Sequence, residues 1–129
     1  MLFFARQEVS EWGSAAIAPE HLLLGIIREG RGPAYELLFD KFALDVARLK
    51  AEIETHMERK PPLPESTDVP FTSSARQVLV ATMREADRLQ QEEIGPVHLL
   101  LGILSVSDSV PASILAKHGV SLETARERR

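Results

Sequence analysis

Apolar residues recur along the chain at steps of three and four and show no one-by-one alternation, the spacing of helices with a buried face and not of strands. The clearest run, PEHLLLGII at 19–27, returns as PVHLLLGIL at 96–104, an offset of 77 residues. The same offset sets Leu2, Ala5, Val9 and Trp12 on Leu79, Thr82, Ala86 and Leu89, and Leu37–Leu38 on Ile114–Leu115. Asp45, Val46 and Leu49 match Ser121, Leu122 and Ala125 at an offset of 76, so the first copy carries one extra residue between its third and fourth elements. A unit this long, present twice, is a duplication and not a solenoid array. The pattern predicts an all-α fold with four helices in each copy.

Prolines punctuate this pattern. Pro19, Pro33, Pro96 and Pro111 each stand where a helix would begin, in the first turn where a missing N–H costs nothing. Pro61, Pro62, Pro64 and Pro70 cluster instead in KPPLPESTDVP, a stiff polar connector. One domain over 1–129 is expected, with repeat one at 1–59, a linker at 60–70 and repeat two at 71–129. Thr72 is the expected N-cap of the helix whose face carries Ala75, Val78, Leu79, Thr82, Ala86 and Leu89. The first copy has that face but a shortened start, Met1-Leu2-Phe3-Phe4, with no cap. Unsatisfied N–H groups there favour a missing upstream turn over an apolar edge kept as a contact surface. The LLLG helices are apolar nearly all round, which predicts a central place for Leu22–Leu24 and Leu99–Leu101. Gly25 and Gly102 cost such helices ~1 kcal/mol each relative to alanine, and close approach of a neighbouring helix is the expected compensation.

Composition narrows the function classes. A length of 129 residues suits one ordinary domain, and the absence of cysteine removes disulfides, thiolate zinc sites and thiol nucleophiles. With 15 basic and 19 acidic residues the formal net charge is −4, and only Arg126, Arg128 and Arg129 cluster, so nucleic acid is not an expected partner. No apolar stretch approaches the ~20 residues that span a bilayer, and the opening MLFF lacks the basic flank of a secretory signal. A cytoplasmic protein without a membrane partner is expected.

His21 and His98 hold equivalent first-turn places, where the helix dipole favours a neutral, hydrogen-bonded ring, so both read as buried capping histidines. A metal site would need further ligands, and the spacing of His56 and His118 supplies none; no metal or cofactor is expected. Glu20 beside His21 is a first-turn dipole partner or part of a binding site, and it is not duplicated, since Val97 stands in its place. Ser105, Ser107, Asp108 and Ser109 form a polar loop without a nucleophile elbow, and REGRGP at 28–33 lacks the spacing of a phosphate-cradling loop. The terminal arginines read as partners of a helix C-terminus or as a frayed tail. No enzymatic constellation emerges.

IAPEHLLLGIIREG (17–30) and IGPVHLLLGIL (94–104), with PFTSSARQVL (70–79) and GVSLETAR (119–126), together resemble the double Clp N-terminal domain of the ClpA, ClpB and ClpC unfoldases, most of all the ClpC type. That resemblance implies two four-helix repeats related by a pseudo-two-fold axis. It implies a non-catalytic module that docks adaptor proteins and unfolded or tagged substrates for Clp ATPase and protease machinery, with the ATPase rings further along the chain. In ClpC-type members it also implies binding of phosphorylated arginine through a glutamate before the histidine and a threonine near the start of each repeat. Here Glu20 and Thr72 match those places, with Phe71 beside Thr72 a further candidate ligand-binding residue, but Val97 breaks the second copy and the first copy's threonine would precede Met1. The alternative reading is a stand-alone sensor of a small ligand or a modified arginine, in which Glu20 holds a guanidinium and backbone N–H groups hold an anion.

Overall fold

The computed structural model describes residues 2–129 and contains eight α-helices among them. Repeat one holds α1 (Phe3–Trp12), α2 (Pro19–Glu29), α3 (Pro33–Glu36) and α4 (Val46–Glu54); repeat two holds α5 (Ser73–Arg88), α6 (Pro96–Ser105), α7 (Val110–Lys117) and α8 (Leu122–Arg128). The four helix-starting prolines fall in first turns as expected, and Thr72 caps α5 by accepting the Ala75 N–H at 3.0 Å. Leu2 holds the corresponding position of α1 and offers no side-chain cap; Met1 lies outside the described residues.

The two LLLG helices are the centre of the molecule. α1 lies along α2 and α5 along α6, and α2 and α6 also touch each other. Leu22, Leu23, Leu24, Leu99, Leu100 and Leu101 are all buried in one hydrophobic cluster drawn from both halves. The glycines are where helices cross most closely: a methyl group on Gly25 would lie 2.8 Å from the Ala5 backbone nitrogen, and one on Gly102 would lie 2.7 Å from the Val78 carbonyl oxygen. Ala5 and Thr82 are themselves duplicates, so the duplication copied both sides of each crossing.

The extra residue of repeat one has a definite place. α3 runs on as a π-helical turn over Leu37–Lys41, in which the Phe42 N–H donates to the Leu37 carbonyl at 3.0 Å. A π-turn is a helix widened by one residue. The register of Leu37 and Leu38 at its start and of Asp45 after it is thereby kept. Ala43 then takes a left-handed conformation (φ 56°), where repeat two has Gly119 (φ 80°).

The connector is not a free tether. Lys60 N–H donates to the Trp12 carbonyl (2.9 Å), Leu63 N–H to the Ser10 carbonyl (2.8 Å), and an isolated parallel bridge joins Ile17 to Phe71. The bridge consists of Ile17 N–H donating to Pro70 O (2.8 Å) and Thr72 N–H donating to Ile17 O (2.9 Å). Residues 60–72 are therefore laid along the end of α1 and the loop behind it. No single helix among the described residues is long and apolar enough to cross a membrane.

Candidate functional site

The chemistry-bearing residues gather at the loops that lead into α2 and α6. In each loop a backbone N–H, from Ala18 or Gly95, donates to Nδ1 of the histidine three residues on, at 2.9 Å for His21 and 2.8 Å for His98. Accepting at Nδ1 places the ring proton on Nε2, which faces Ser14 Oγ (3.0 Å) in repeat one and Gln91 Oε1 in repeat two. Ser14 and Gln91 are themselves equivalent positions, so one function is carried by two different residue types. Burial pushes the His21 ring down from 6.5 to about 4. Protonation at Nδ1 would also expel the Ala18 N–H.

Glu20 is half-buried beside this cap and lines a cavity of about 210 Å³ with Ser14, His21, His56, Glu58 and Lys60. The corresponding cleft of repeat two, lined by Gln91, Val97 and His98 with Pro33, Ile94 and Arg129, is about 730 Å³. Val97 puts an apolar side chain where Glu20 puts a carboxylate, and the acidic groups of the second cleft come instead from Glu92 and Glu93. Thr72 and Phe71 do not line the Glu20 cavity. The Thr72 hydroxyl is engaged as the α5 cap, and Phe71 lies at the bridge to Ile17 with the Arg6 guanidinium 5.9 Å from its ring centre. The three residues drawn from the resemblance thus lie around the 14–18 loop and the first turn of α2, without converging on one pocket.

Other candidates have structural engagements. Ser105 Oγ donates to the Leu101 carbonyl (2.8 Å), and Ser109 caps α7 through the Ala112 N–H. His118 Nε2 meets Glu52 Oε1 at 2.9 Å, while His56 lines the Glu20 cavity. The terminal arginines are neither simple partners of the α8 C-terminus nor a frayed tail. Arg126 forms a two-pronged pair with Glu85, Nε to Oε1 and Nη2 to Oε2 at 2.8 Å each, and the Arg128 guanidinium lies 4.8 Å from the Phe42 ring centre. They clasp α8 to α5 and to the π-turn.

Two buried carboxylates escaped the reading of the sequence. Glu8 and Glu85 are equivalent positions, 5% and 3% exposed, and each is neutralised by arginine. Glu8 meets Arg28 of α2 at 2.6 Å, while Glu85 meets Arg126 of α8 and Arg88 of its own helix. Arg126, and then Arg88, hold the Glu85 carboxyl below the usual carboxylate value. The signal was present as a glutamate kept at the 77-residue offset on a helix face, but its partners come from non-equivalent elements.

The family model of the Clp repeat (R) N-terminal domain matches residues 1–117. The chain belongs to the Clp N-terminal domain family. It is 33% identical over 128 residues to the negative regulator of genetic competence ClpC/MecB of Bacillus subtilis (strain 168), covering 99% of this chain and 15% of that protein. It is 32% identical over 130 residues to the chaperone protein ClpB of Oceanobacillus iheyensis, covering 99% of this chain and 16% of that one. The N-terminal domain of the chaperone ClpD from Arabidopsis thaliana has the same fold, with a TM-score of 0.71 at 19% identity over 98% of this chain and 85% of that domain. The chain therefore spans about 15% of the length of the curated Clp relatives it matches. The resemblance seen in the doubled H-L-L-L-G phrase and the all-α expectation both stand.

Proposed function

We propose that this Clp N-terminal domain is a non-catalytic, cytoplasmic protein-binding module that docks adaptor proteins and unfolded or tagged substrates for unfolding and degradation. The observation that carries this reading is the position of the large apolar side chains left in solvent. Among the described residues these are Phe3, Val80, Met83 and Ile94, and all lie on the first helix of a repeat or on the loop behind α5. Phe3 and Val80 are duplicates of one another. Val80, Met83 and Ile94 each line an open cleft, and exposed apolar side chains so placed are the form of a surface kept for another polypeptide. Calorimetric titration with a Clp adaptor protein and with reduced, carboxymethylated α-lactalbumin tests the reading. Saturable binding of either is expected, and binding of neither overturns it.

A further inference from the structure

The duplication supplies an occupied and an open copy of one groove. In repeat one, the stretch from Lys60 to Thr72 fills the groove beside α1 and the 14–18 loop, leaving about 10 Å³ between Arg6, Val9 and Ser10 and the connector residues Leu63, Thr67 and Val69. The stretch ends by pairing its backbone with both the N–H and the C=O of Ile17, which is 1% exposed. In repeat two, the equivalent positions Met83, Ala86, Asp87, Gln90, Gln91 and Ile94 line an open groove of about 450 Å³. The loop keeps its form, with Gln90 left-handed (φ 56°) as Gly13 is (φ 66°). Ile94 has no backbone hydrogen-bond partner among the described residues, its side chain is 42% exposed, and Met83 is 49% exposed. An extended backbone with a free donor and acceptor beside apolar side chains is a site for strand addition.

We propose that this groove docks an extended segment of a partner protein, one that carries a large apolar residue flanked by lysine or arginine and pairs with Ile94 as Phe71 pairs with Ile17. The proposal rests on the reading of the domain as a protein-binding module and assigns that reading a site. The occupied copy supplies the geometry, and the residues that differ between copies supply the ligand's charge. Ser10 and Ala15 of repeat one are replaced by Asp87 and Glu92, which line the open groove, and Ala16 by Glu93 next in the chain, so the rim that meets Glu65 in one copy has become acidic in the other. An acidic rim selects basic segments and rejects acidic ones. Gln90 sets the ligand's extent. A side chain at the equivalent Gly13 would lie 2.8 Å from the Lys60 carbonyl oxygen, so the sharp Lys60–Pro61 approach has no counterpart, and the ligand follows the path of Val69–Thr72 alone.

The test is a titration of the ¹⁵N-labelled chain with the synthetic peptide TKVPFTK, against TDVPFTS, the chain's own segment at 67–73. Saturable shifts of the Met83 and Gln91–Gly95 amides by TKVPFTK are expected, with TDVPFTS weaker by about tenfold. Met83→Lys, a change at an exposed position that leaves the melting temperature unchanged, should weaken TKVPFTK by about tenfold as well. The groove assignment is overturned if shifts map to 14–18, if Met83→Lys binds as the parent does, or if the Ile94 signals move with protein concentration alone, which would make a second copy the occupant. Carboxymethylated α-lactalbumin separates the two levels. Retained binding of it without binding of TKVPFTK removes the groove and leaves the module, whereas loss of both removes both.

Discussion

Gly102 stands where the turn of α5 bearing Val78 and Thr82 crosses α6, and the missing side chain is what lets the two backbones approach. A methyl group there meets the Val78 carbonyl and the Thr82 nitrogen (2.9 Å), rigid groups that cannot swing aside. Gly102→Ala should therefore destabilise the fold by about 1–3 kcal/mol despite alanine's better helix propensity, as should Gly25→Ala against the Ala5 backbone. Urea melts read this directly, and a gain in stability for either variant contradicts it. His21 sets a pH dependence with a fixed sign. Its ring is protonated near 6.5 when unfolded but only near 4 when folded. Stability is therefore full above pH 6.5 and falls as pH drops towards 4, by up to about 3 kcal/mol from this group. Urea melts between pH 4 and 7 should show a shallower slope for His21→Gln than for the parent.

Among the elements, the π-turn at Leu37–Lys41 shows how a duplicated helix absorbed an added residue without shifting the core. Leu44 N–H donates to Leu38 O at 3.1 Å where Val120 N–H donates to Leu115 O at 3.0 Å, so the same closure spans one residue more in repeat one. The cost falls on Ala43, an alanine held at positive φ where repeat two has glycine. Ala43→Gly should raise stability by about 1 kcal/mol, because the Cβ strain of the left-handed conformation is relieved and the residue is outside any helix. The midpoint in urea should rise with no change in slope. α8 illustrates the opposite case: its seven residues are too few to be stable alone and are secured by Arg126 on Glu85 and Arg128 on Phe42.

At the scale of the whole molecule, α2 and α6 share one core cluster and the connector lies against repeat one. Neither half has a separate core to retain when the other opens. A single unfolding transition is expected, with far-UV circular dichroism, which reports both halves, coinciding with the fluorescence of Trp12, which sits only in repeat one beneath the Arg59 guanidinium at 4.0 Å. Two separated transitions would show that the repeats unfold independently. An asymmetry between the repeats also belongs to this scale: the connector fills the groove beside α1, and its image beside α5 stays open.

The all-helical fold, the duplication, the central leucines, the helix-starting prolines, the Thr72 cap and the one-residue excess were legible in the chain, because each depends on spacing along one helix or on comparison of the chain with itself. What the sequence could not determine were partnerships between distant segments. Arg126 beside Glu85, the Ile17–Phe71 bridge, the shared role of Ser14 and Gln91, and the seating of residues 60–72 depend on which segments pack together in three dimensions. The candidate site divides the same way. Sequence singled out Glu20 by its mismatch with Val97, but the difference in groove occupancy was decided only by tertiary structure, since a connector covers whichever surface its neighbours place beneath it.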